Sequence, residues 1–462
     1  MRELTLVILA AGKGTRLKSR LPKVLHCLAG KPLLEYVMEA ARPLSPRGAC
    51  VIVGHEAGQV QKVFSNLPVE FIVQEPQLGT GHALLVARPF WESHRGDLLV
   101  LYGDVPLIST ETLAELVEAH NRSGASATLM STVLERPEGY GRVLRSSRGD
   151  VESIVEEKDA TPEQREIQEI NTGIYCFQIS ALAETIGQLS STNSQQEYYL
   201  TDCIGLLKAR GRSVGTVICS DPMEVCGVNS RLELSQLEGL LRNRKLEQLM
   251  RDGVTVIDPA STYVEPGVQV GEDTVLYPNV FLEKGSVIGS GCQIYPNVRI
   301  SASVVDDQVV ILDSCLISES RIHSGSQVGP FAHLRNHAVV GKGCRIGNFV
   351  EIKNSKIGDR TKAAHLSYLG DAEVGEDVNI GAGTITCNYD GIGKNKTIIE
   401  DDVFVGSDSQ LIAPVTIHRG AYIAAGSTIQ QDVPEDALAI ARSHQVNKEH
   451  WARKRRDPGG KE

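Results

Sequence analysis

Aliphatic side chains recur every six positions in the second half of the chain, at Val264, Val270, Leu276, Leu282, Ile288, Ile294 and Ile300, and again at Ile399, Val405, Leu411, Ile417, Ile423 and Ile429. An α-helix would space them three and four apart and a half-buried strand two apart, so a period of six means one short strand per hexad. Gly follows the aliphatic residue in Val270-Gly271, Ile288-Gly289, Val340-Gly341, Ile346-Gly347, Val374-Gly375, Ile380-Gly381 and Val405-Gly406, which suits a sharp corner with no room for a side chain. No hexad can bury its apolar residue alone. The pattern therefore predicts a parallel β-helix from about 264 to 429, built by stacking many hexads. The frame slips twice: Ile352 to Val374 spans 22 residues and Ile380 to Ile399 spans 19, neither a multiple of six. Both intervals carry unusual polar residues, Lys-Ala-Ala-His-Leu-Ser-Tyr at 362–368 and Cys-Asn-Tyr-Asp-Gly at 387–391. Both are expected to be loops on a binding face.

Before residue 228 the rhythm changes. Apolar runs alternate with amphipathic stretches, as in an α/β domain with a mostly parallel sheet. Strands are expected at 4–9, 49–53, 69–73 and 98–102, with helices at 32–41 and 111–120. Such sheets bind ligands beyond the carboxyl ends of their strands. Residues 230–250 are polar and helix-forming, with leucines at helical spacing, and read as a connecting helix. After Pro434 the repeat stops, and the charged tail is expected to be irregular in part. The expected division is 1–228, 229–250, 251–434 and 435–462.

Composition narrows the function. At 462 residues the chain needs two or three domains, and its formal charge of -10 argues against a general nucleic-acid binder while leaving small anionic substrates open. Ten cysteines without a Cys-x-x-Cys pair suit neither a zinc ribbon nor a disulfide framework, and each reads as a buried thiol. No stretch resembles a signal peptide or a membrane span, so a cytoplasmic protein with no membrane partner is expected. The basic run 453–456 reads as a solvated tail.

The first strand runs into Ala10-Ala11-Gly12-Lys13-Gly14-Thr15-Arg16, followed by Pro22-Lys23. A Gly-rich turn after a strand lets backbone N–H groups approach phosphate oxygens, and Arg and Lys neutralise them. The loop lacks the third Gly of a dinucleotide fold and the Gly-Lys-Ser/Thr of a Walker loop. Gly103-Asp104 ends another strand, where a carboxylate can hold Mg²⁺ against a triphosphate. Asn229, taken alone, reads as a helix cap. In the second half His365 is a candidate general base.

The motifs together resemble those of the bifunctional N-acetylglucosamine-1-phosphate uridylyltransferase / glucosamine-1-phosphate N-acetyltransferase family. They are Leu-Ala-Ala-Gly-Lys-Gly-Thr-Arg at 9–16, Pro-Lys-Val-Leu-His at 22–26, Gln-Leu-Gly-Thr-Gly-His-Ala at 77–83, Tyr-Gly-Asp-Val-Pro-Leu at 102–107, Glu-Ile-Asn-Thr-Gly at 169–173 and Gly-Val-Asn at 227–229. The resemblance covers the whole chain and departs at Leu17, where the family often has Met. It implies a Rossmann-like nucleotidyltransferase domain, a linking α-helix and a left-handed parallel β-helix of hexapeptide repeats. It also implies a homotrimer through the β-helix, whose neighbouring subunits complete each acetyl site. UTP or its sugar product would meet Leu9, Ala10, Ala11, Gly12, Gln74, Gly79, Thr80, Tyr102 and Gly103, with Lys23 and Arg16 acting on the phosphates. Gly141, Glu156, Asn171 and Asn229 would hold the amino sugar, and Asp104 with Asn229 would bind Mg²⁺. Arg335, Lys353, Tyr368 and Asn379 would surround glucosamine 1-phosphate, with Lys394 in the loop beside them. Ala382, Asn388, Tyr389, Ser407, Ala425 and Arg442 would line the acetyl-CoA groove, with His365 as base. Acetylation followed by uridylylation would give UDP-N-acetylglucosamine, a precursor of bacterial cell-envelope polymers, with the intermediate released between sites.

Three other readings stay open at this point. A single-function ADP-glucose or GDP-mannose pyrophosphorylase with a regulatory β-helix would not need His365, Asn388, Tyr389 or Arg442. A β-helix metalloenzyme like a γ-type carbonic anhydrase could draw on His323, His333, His337 and His365. A non-catalytic scaffold or exchange-factor subunit would have little reason to hold Lys23, Asp104 and Asn229 together.

Overall fold

The computed structural model describes residues 2–456, and the chain divides into two compact units between Gly239 and Leu240. The main sheet of the first unit has the strand order Val214–Ile218, Ala127–Val133, Glu169–Gln178, Asp97–Tyr102, Leu4–Ala10, Gly48–Val53 and Glu70–Val73. Leu4–Ala10 pairs in parallel with both its neighbours, whereas Glu169–Gln178 runs against both of its own. Every residue of Leu4–Ala10 is buried. Its alternate side chains serve two cores, Leu6 and Ile8 on one face and Val7 and Leu9 on the other, which is why this strand reads as an unbroken apolar run.

The expected elements stand within a few residues of their predicted ends. One helix, Leu33–Ala41, starts just after Pro32. Another, Thr110–Ser123, is capped by Ser109 Oγ, which accepts from Thr112 N at 3.1 Å, and is closed by Gly124 at φ 62°. The sheet continues from Leu4–Ala10 to Gly48–Val53 on one side and to Asp97–Tyr102 on the other, so a crevice opens where Ala10 and Tyr102 end.

Helix Arg231–Arg251 begins with a reciprocal cap: Ser230 Oγ accepts from Glu233 N at 3.2 Å, and Glu233 Oε2 accepts from Ser230 N at 3.0 Å. Ser230 therefore does the capping that Asn229 was expected to do, and the Asn229 side chain is left for other work.

The second unit is a parallel β-helix with three faces. Leu282, Ile300, Ile317, Leu334, Ile352 and Leu369 stack in register on one face, and Leu276, Ile294, Ile311, Val328 and Ile346 on the next. The third carries Val270, Ile288, Val305, Ile322, Val340 and Ile357. Nearly all are fully buried, in one continuous core. Corner residues such as Asn279 (φ 59°), Asn297 (φ 62°) and Asp273 (φ 60°) adopt left-handed backbone, which short polar side chains tolerate. The coils extend beyond the counted repeat of 264–429 at both ends, with Thr255–Val256 paired to Val275–Leu276 and Leu438–Ala439 paired to Tyr422–Ile423. Of the expected tail, Trp451–Arg456 is a short exposed helix and 457–462 lie outside the described residues.

The frame slips more often than the two places counted, since the rungs Ile300 to Val305 and Ile317 to Ile322 are also five residues apart, and one of the two slips singled out is not a loop. Between Ile352 and Val374 the chain keeps its rungs at Ile357, Ala363 and Leu369, and strand Lys362–Gly370 pairs along its length with Arg345–Lys353. The frame is lost because two corners, at Ile352 to Ile357 and at Leu369 to Val374, are five residues apart instead of six. The second slip is a true insertion, with Ile392 at its tip 97 % exposed. The cysteine expectation also needs amending: all ten are free, but Cys27 is exposed and Cys226 and Cys387 are only part-buried.

Leu334 is fully buried between Ile317 and Ile352. Leu334→Ala is expected to destabilise the β-helix by roughly 2–5 kcal/mol in urea denaturation, while Ile392→Ala costs less than about 0.5 kcal/mol. Equal shifts in the two variants would contradict the stacked-core account.

Candidate functional site

In the first unit a cavity of about 510 Å³ opens at the crevice between the strand ends. Leu9, Ala10, Ala11 and Gly12 form its floor and rim, with Gln74, Gly79 and Thr80 on one wall and Lys23, Tyr102, Asp104 and Asn229 also lining it. Two glycines are obligatory here. Gly14 (φ 59°) faces Lys23, where a Cβ would come within 2.9 Å of Lys23 Cβ. Gly79 (φ 99°) faces Tyr198, whose carbonyl oxygen would lie 2.7 Å from a Cβ.

Lys23 Nζ holds two oxygens together, in an ion pair with Asp104 and a 2.7 Å hydrogen bond to Asn229 Oδ1. The loop carrying Asn229 is fixed by Val228 N donating to Asp104 O at 2.8 Å. A carboxylate and an amide oxygen thus converge on one cation, the hard donor set that Mg²⁺ takes alongside phosphates and water.

Beside this wall lies a second group. Asn171 N donates to Gly141 O at 2.8 Å, and a Cβ on Gly141 would sit 3.4 Å from Glu156 Oε2. Asn171 Oδ1 accepts from Tyr175 Oη at 2.9 Å, and Gly173 leaves room for the Tyr102 ring, which connects this group to the cavity. Glu156 is half-buried. Burial raises its carboxyl above the usual range, against the opposing hydrogen bond from Thr201 at 3.1 Å. Gly103 lies behind the wall, its N–H bonded to Leu9 O at 2.9 Å. Arg16 is not brought into the wall; it stands exposed on the turn Thr15–Leu17. Lys13, Thr15, Gln77 and Glu197 line the cavity and were not anticipated; Glu197 comes from a loop with no motif to mark it.

In the second unit His365 sits exposed at one edge of the β-helix, in register with Asn348 on the coil before. Its Nδ1 lies 2.8 Å from Asn348 Oδ1. Because that oxygen accepts, Nδ1 carries the proton and Nε2 presents its lone pair, the arrangement a general base needs. Asn348 precedes His365 by one 17-residue coil, so the coil length was the signal that would have found it. The same edge carries a column of small residues. Asp408 N donates to Ala382 O at 2.7 Å, Gly426 N to Ser407 O at 2.8 Å, and Arg442 Nη1 to Ala425 O at 2.5 Å, linking successive coils up to Arg442.

On the adjoining face Arg335 and Lys353 are register partners, and Tyr368 pairs with Glu351, to which Arg335 is bound at 2.6 Å. Asn379 lies on a different face, opposite Lys362. Asn388 is buried and donates to Asp371, which also accepts from Asn354 at 2.5 Å. Burial works against the Asp371 charge, but those two amides and the nearby Lys353 and Lys394 hold its carboxyl below the usual range. Lys353 in turn lowers the Lys394 ammonium. Two mutually repelling ammoniums beside the inserted loop make a place where an anion is welcome. Tyr389 is exposed, its hydroxyl turned to Gly391 O at 2.8 Å. Among the described residues no group of three or more His, Cys, Asp or Glu is placed to hold a metal ion. His323 Nδ1 lies 2.7 Å from Asp306 Oδ2.

Three family models match the chain: a MobA-like NTP transferase domain over residues 6–256, a GMPPB C-terminal domain over 259–342 and a bacterial transferase hexapeptide (six repeats) over 396–431. Relatives called bifunctional protein GlmU match it end to end. That of Trichlorobacter lovleyi is 50 % identical over 98 % of this chain and 99 % of its own, and that of Shouchella clausii 48 % over 97 % and 98 %. That of Brevibacillus brevis is 46 % identical over the full length of both.

Because the Glu156 carboxyl is raised, the folded state keeps its proton to higher pH than the unfolded chain does, and stability is lost as pH rises from the ordinary value to the raised one. Glu156→Gln is expected to stabilise the first unit at neutral pH and to flatten its stability over that window in denaturant titrations. An unchanged pH slope would contradict the assignment of the raised value to burial.

Proposed function

This chain belongs to the family of bifunctional GlmU proteins, and from that premise we propose how its residues share the work. The enzyme makes UDP-N-acetylglucosamine: one unit transfers acetyl from acetyl-CoA to glucosamine 1-phosphate, and the other joins N-acetylglucosamine 1-phosphate to the uridylyl group of UTP and releases pyrophosphate. The observation that supports the division of labour is that the first unit has a crevice lined by the Gly-rich loop and Lys23, while the β-helix edge of the second carries His365 with its Nδ1 2.8 Å from Asn348 Oδ1.

In the acetyl half, the amine attacks the thioester carbonyl as His365 Nε2 takes its proton, the C–S bond breaks, and the imidazolium returns that proton to the departing sulfur so that CoA leaves as its thiol. The Asn348 contact supports that role by orienting the ring. Lys353 and Lys394 receive the sugar phosphate, with Arg335 beside them and Tyr368 and Asn379 about the sugar; the crowded ammoniums support this. Asn388, steadied by Asp371, and Tyr389 face the acyl donor, whose pantetheine arm lies along Ala382, Ser407 and Ala425, with Arg442 at its phosphates. No cysteine nucleophile is needed.

In the uridylyl half, an oxygen of the sugar phosphate attacks the α-phosphorus of UTP in line. The loop 9–12 with Gln74, Gly79 and Thr80 cradles the nucleotide and Lys23 draws charge from the phosphates; Arg16, exposed on the neighbouring turn, would have to swing in to join it, and Gly141, Glu156 and Asn171, beside the cavity, orient the amino sugar. Asp104 and Asn229 would hold Mg²⁺, which neutralises phosphate charge when bound; the two oxygens gathered around Lys23 Nζ fit it.

The β-helix associates as a homotrimer in this reading, with neighbouring subunits completing each acetyl site. Stacked Phe331 and Phe349 (centroids 5.3 Å apart) and Leu366 form an exposed apolar stripe next to His365, which supports it. No helix among the described residues is long and apolar enough to cross a membrane. UTP and acetyl-CoA as substrates support a cytoplasmic enzyme.

His365→Ala should lower CoA thiol release by roughly 10²–10⁴-fold while leaving pyrophosphate release from UTP intact, and Asp104→Ala should do the reverse. Loss of both activities in either folded variant would refute the two-site reading. Light scattering should count three chains per particle. Phe349→Asp should yield smaller particles that keep uridylyl transfer and lose acetyl transfer; a monomer with full acetyl transfer would exclude shared sites.

A further inference from the structure

We infer that His82, which stands outside the cavity wall, sets the enzyme's preference for uracil over cytosine by fixing the orientation of the Gln74 amide. The inference rests on the reading that Gln74 meets the base.

Gln74 follows strand Glu70–Val73 and is 4 % exposed, its remaining surface facing the cavity. Its Nε2 lies 2.9 Å from Gly79 O. A carbonyl only accepts, so the amide nitrogen, not its oxygen, must point there. The same Nε2 lies 3.1 Å from His82 Nδ1. With an N–H directed at it, Nδ1 is the lone-pair nitrogen, and the ring proton is on Nε2. Both amide hydrogens are then spent, and Oε1 is the group left for a ligand.

Uracil offers an N–H at position 3, between two carbonyls. Cytosine offers a bare nitrogen there, which would face Oε1 lone pair to lone pair. A site that presents a fixed acceptor to a donor rejects an analogue lacking that donor. An amide free to turn over would present N–H to cytosine instead, and the discrimination would fade. Gly79 O alone is a weak lock, because it also accepts from Ala83 N at 3.1 Å. His82 supplies the second. It lies in helix Thr80–Val86, its ring flanked by that of Tyr198 at 6.1 Å, and Tyr198 is also the residue that keeps position 79 a glycine.

The test is the ratio of kcat/KM for UTP to that for CTP, read as pyrophosphate release by the full-length chain; a ratio does not depend on the fraction of active enzyme. His82→Leu should lower it by roughly tenfold, with the KM for N-acetylglucosamine 1-phosphate and acetyl transfer unchanged. His82→Asn places an amide oxygen where Nδ1 stood and should keep the ratio within roughly threefold of the parent. If His82→Leu slows both nucleotides equally, His82 is only structural and the inference fails. Gln74→Leu separates the two layers. A collapsed ratio there with an unchanged one in His82→Leu would overturn only the role of His82, whereas an unchanged ratio in Gln74→Leu would remove the base from Gln74 and the inference with it.

Discussion

Each hexad of the second unit owns one aliphatic side chain, and that side chain is out of water only if the coils above and below are in register. Everything else in the unit answers to this requirement. It sets the parallel pairing, the three flat faces and the left-handed backbone at Asn279, Asn297 and Asp273, where the chain must turn inside two or three residues. It also sets the geometry of the chemistry. Groups that belong to neighbouring coils meet at one edge without any local sequence relation, as His365 does with Asn348 and Asn388 with Asp371.

The first unit solves a different problem with a similar economy. Its central strand is buried on both faces, so polar work can be done only where the strand ends. The crevice lining includes Gly12, Gly14 and Gly79, which let backbone approach a phosphate closely, and two of its charged groups, Lys23 and Asp104, are already paired. Lys23 gathers Asp104 and Asn229, so the groups proposed to meet phosphate and metal are held in place by one another.

The sequence made the aliphatic ladder and the Gly-rich turn legible because both are periodic or contiguous. The six-residue count was misread at Ile352 to Val374, where two five-residue corners look like an inserted loop when only the total is counted. His365 was found there nevertheless, since its residue type announced it. Asn229 shows the opposite case. Its place before a helix suggested a cap, but Ser230 with Glu233 does that work, and only the fold reveals that Asn229 reaches Lys23. Glu197, Asp371 and Asn348 depend on pairings between distant segments, and no local pattern marks them. Arg16 carried a motif but stands outside the wall that the motif builds.

The insertion at 388–395 leaves the ladder without disturbing it: Thr386 and Leu411 pair below, Val374 and Ile399 beside. A coil passes on to its neighbours only a strand register and one side chain per face, so whatever is spliced between two rungs is invisible to the rest of the rod. Such an architecture lets heredity experiment at the corners. That loop can lengthen, shorten or change its composition while the coils on either side keep their register.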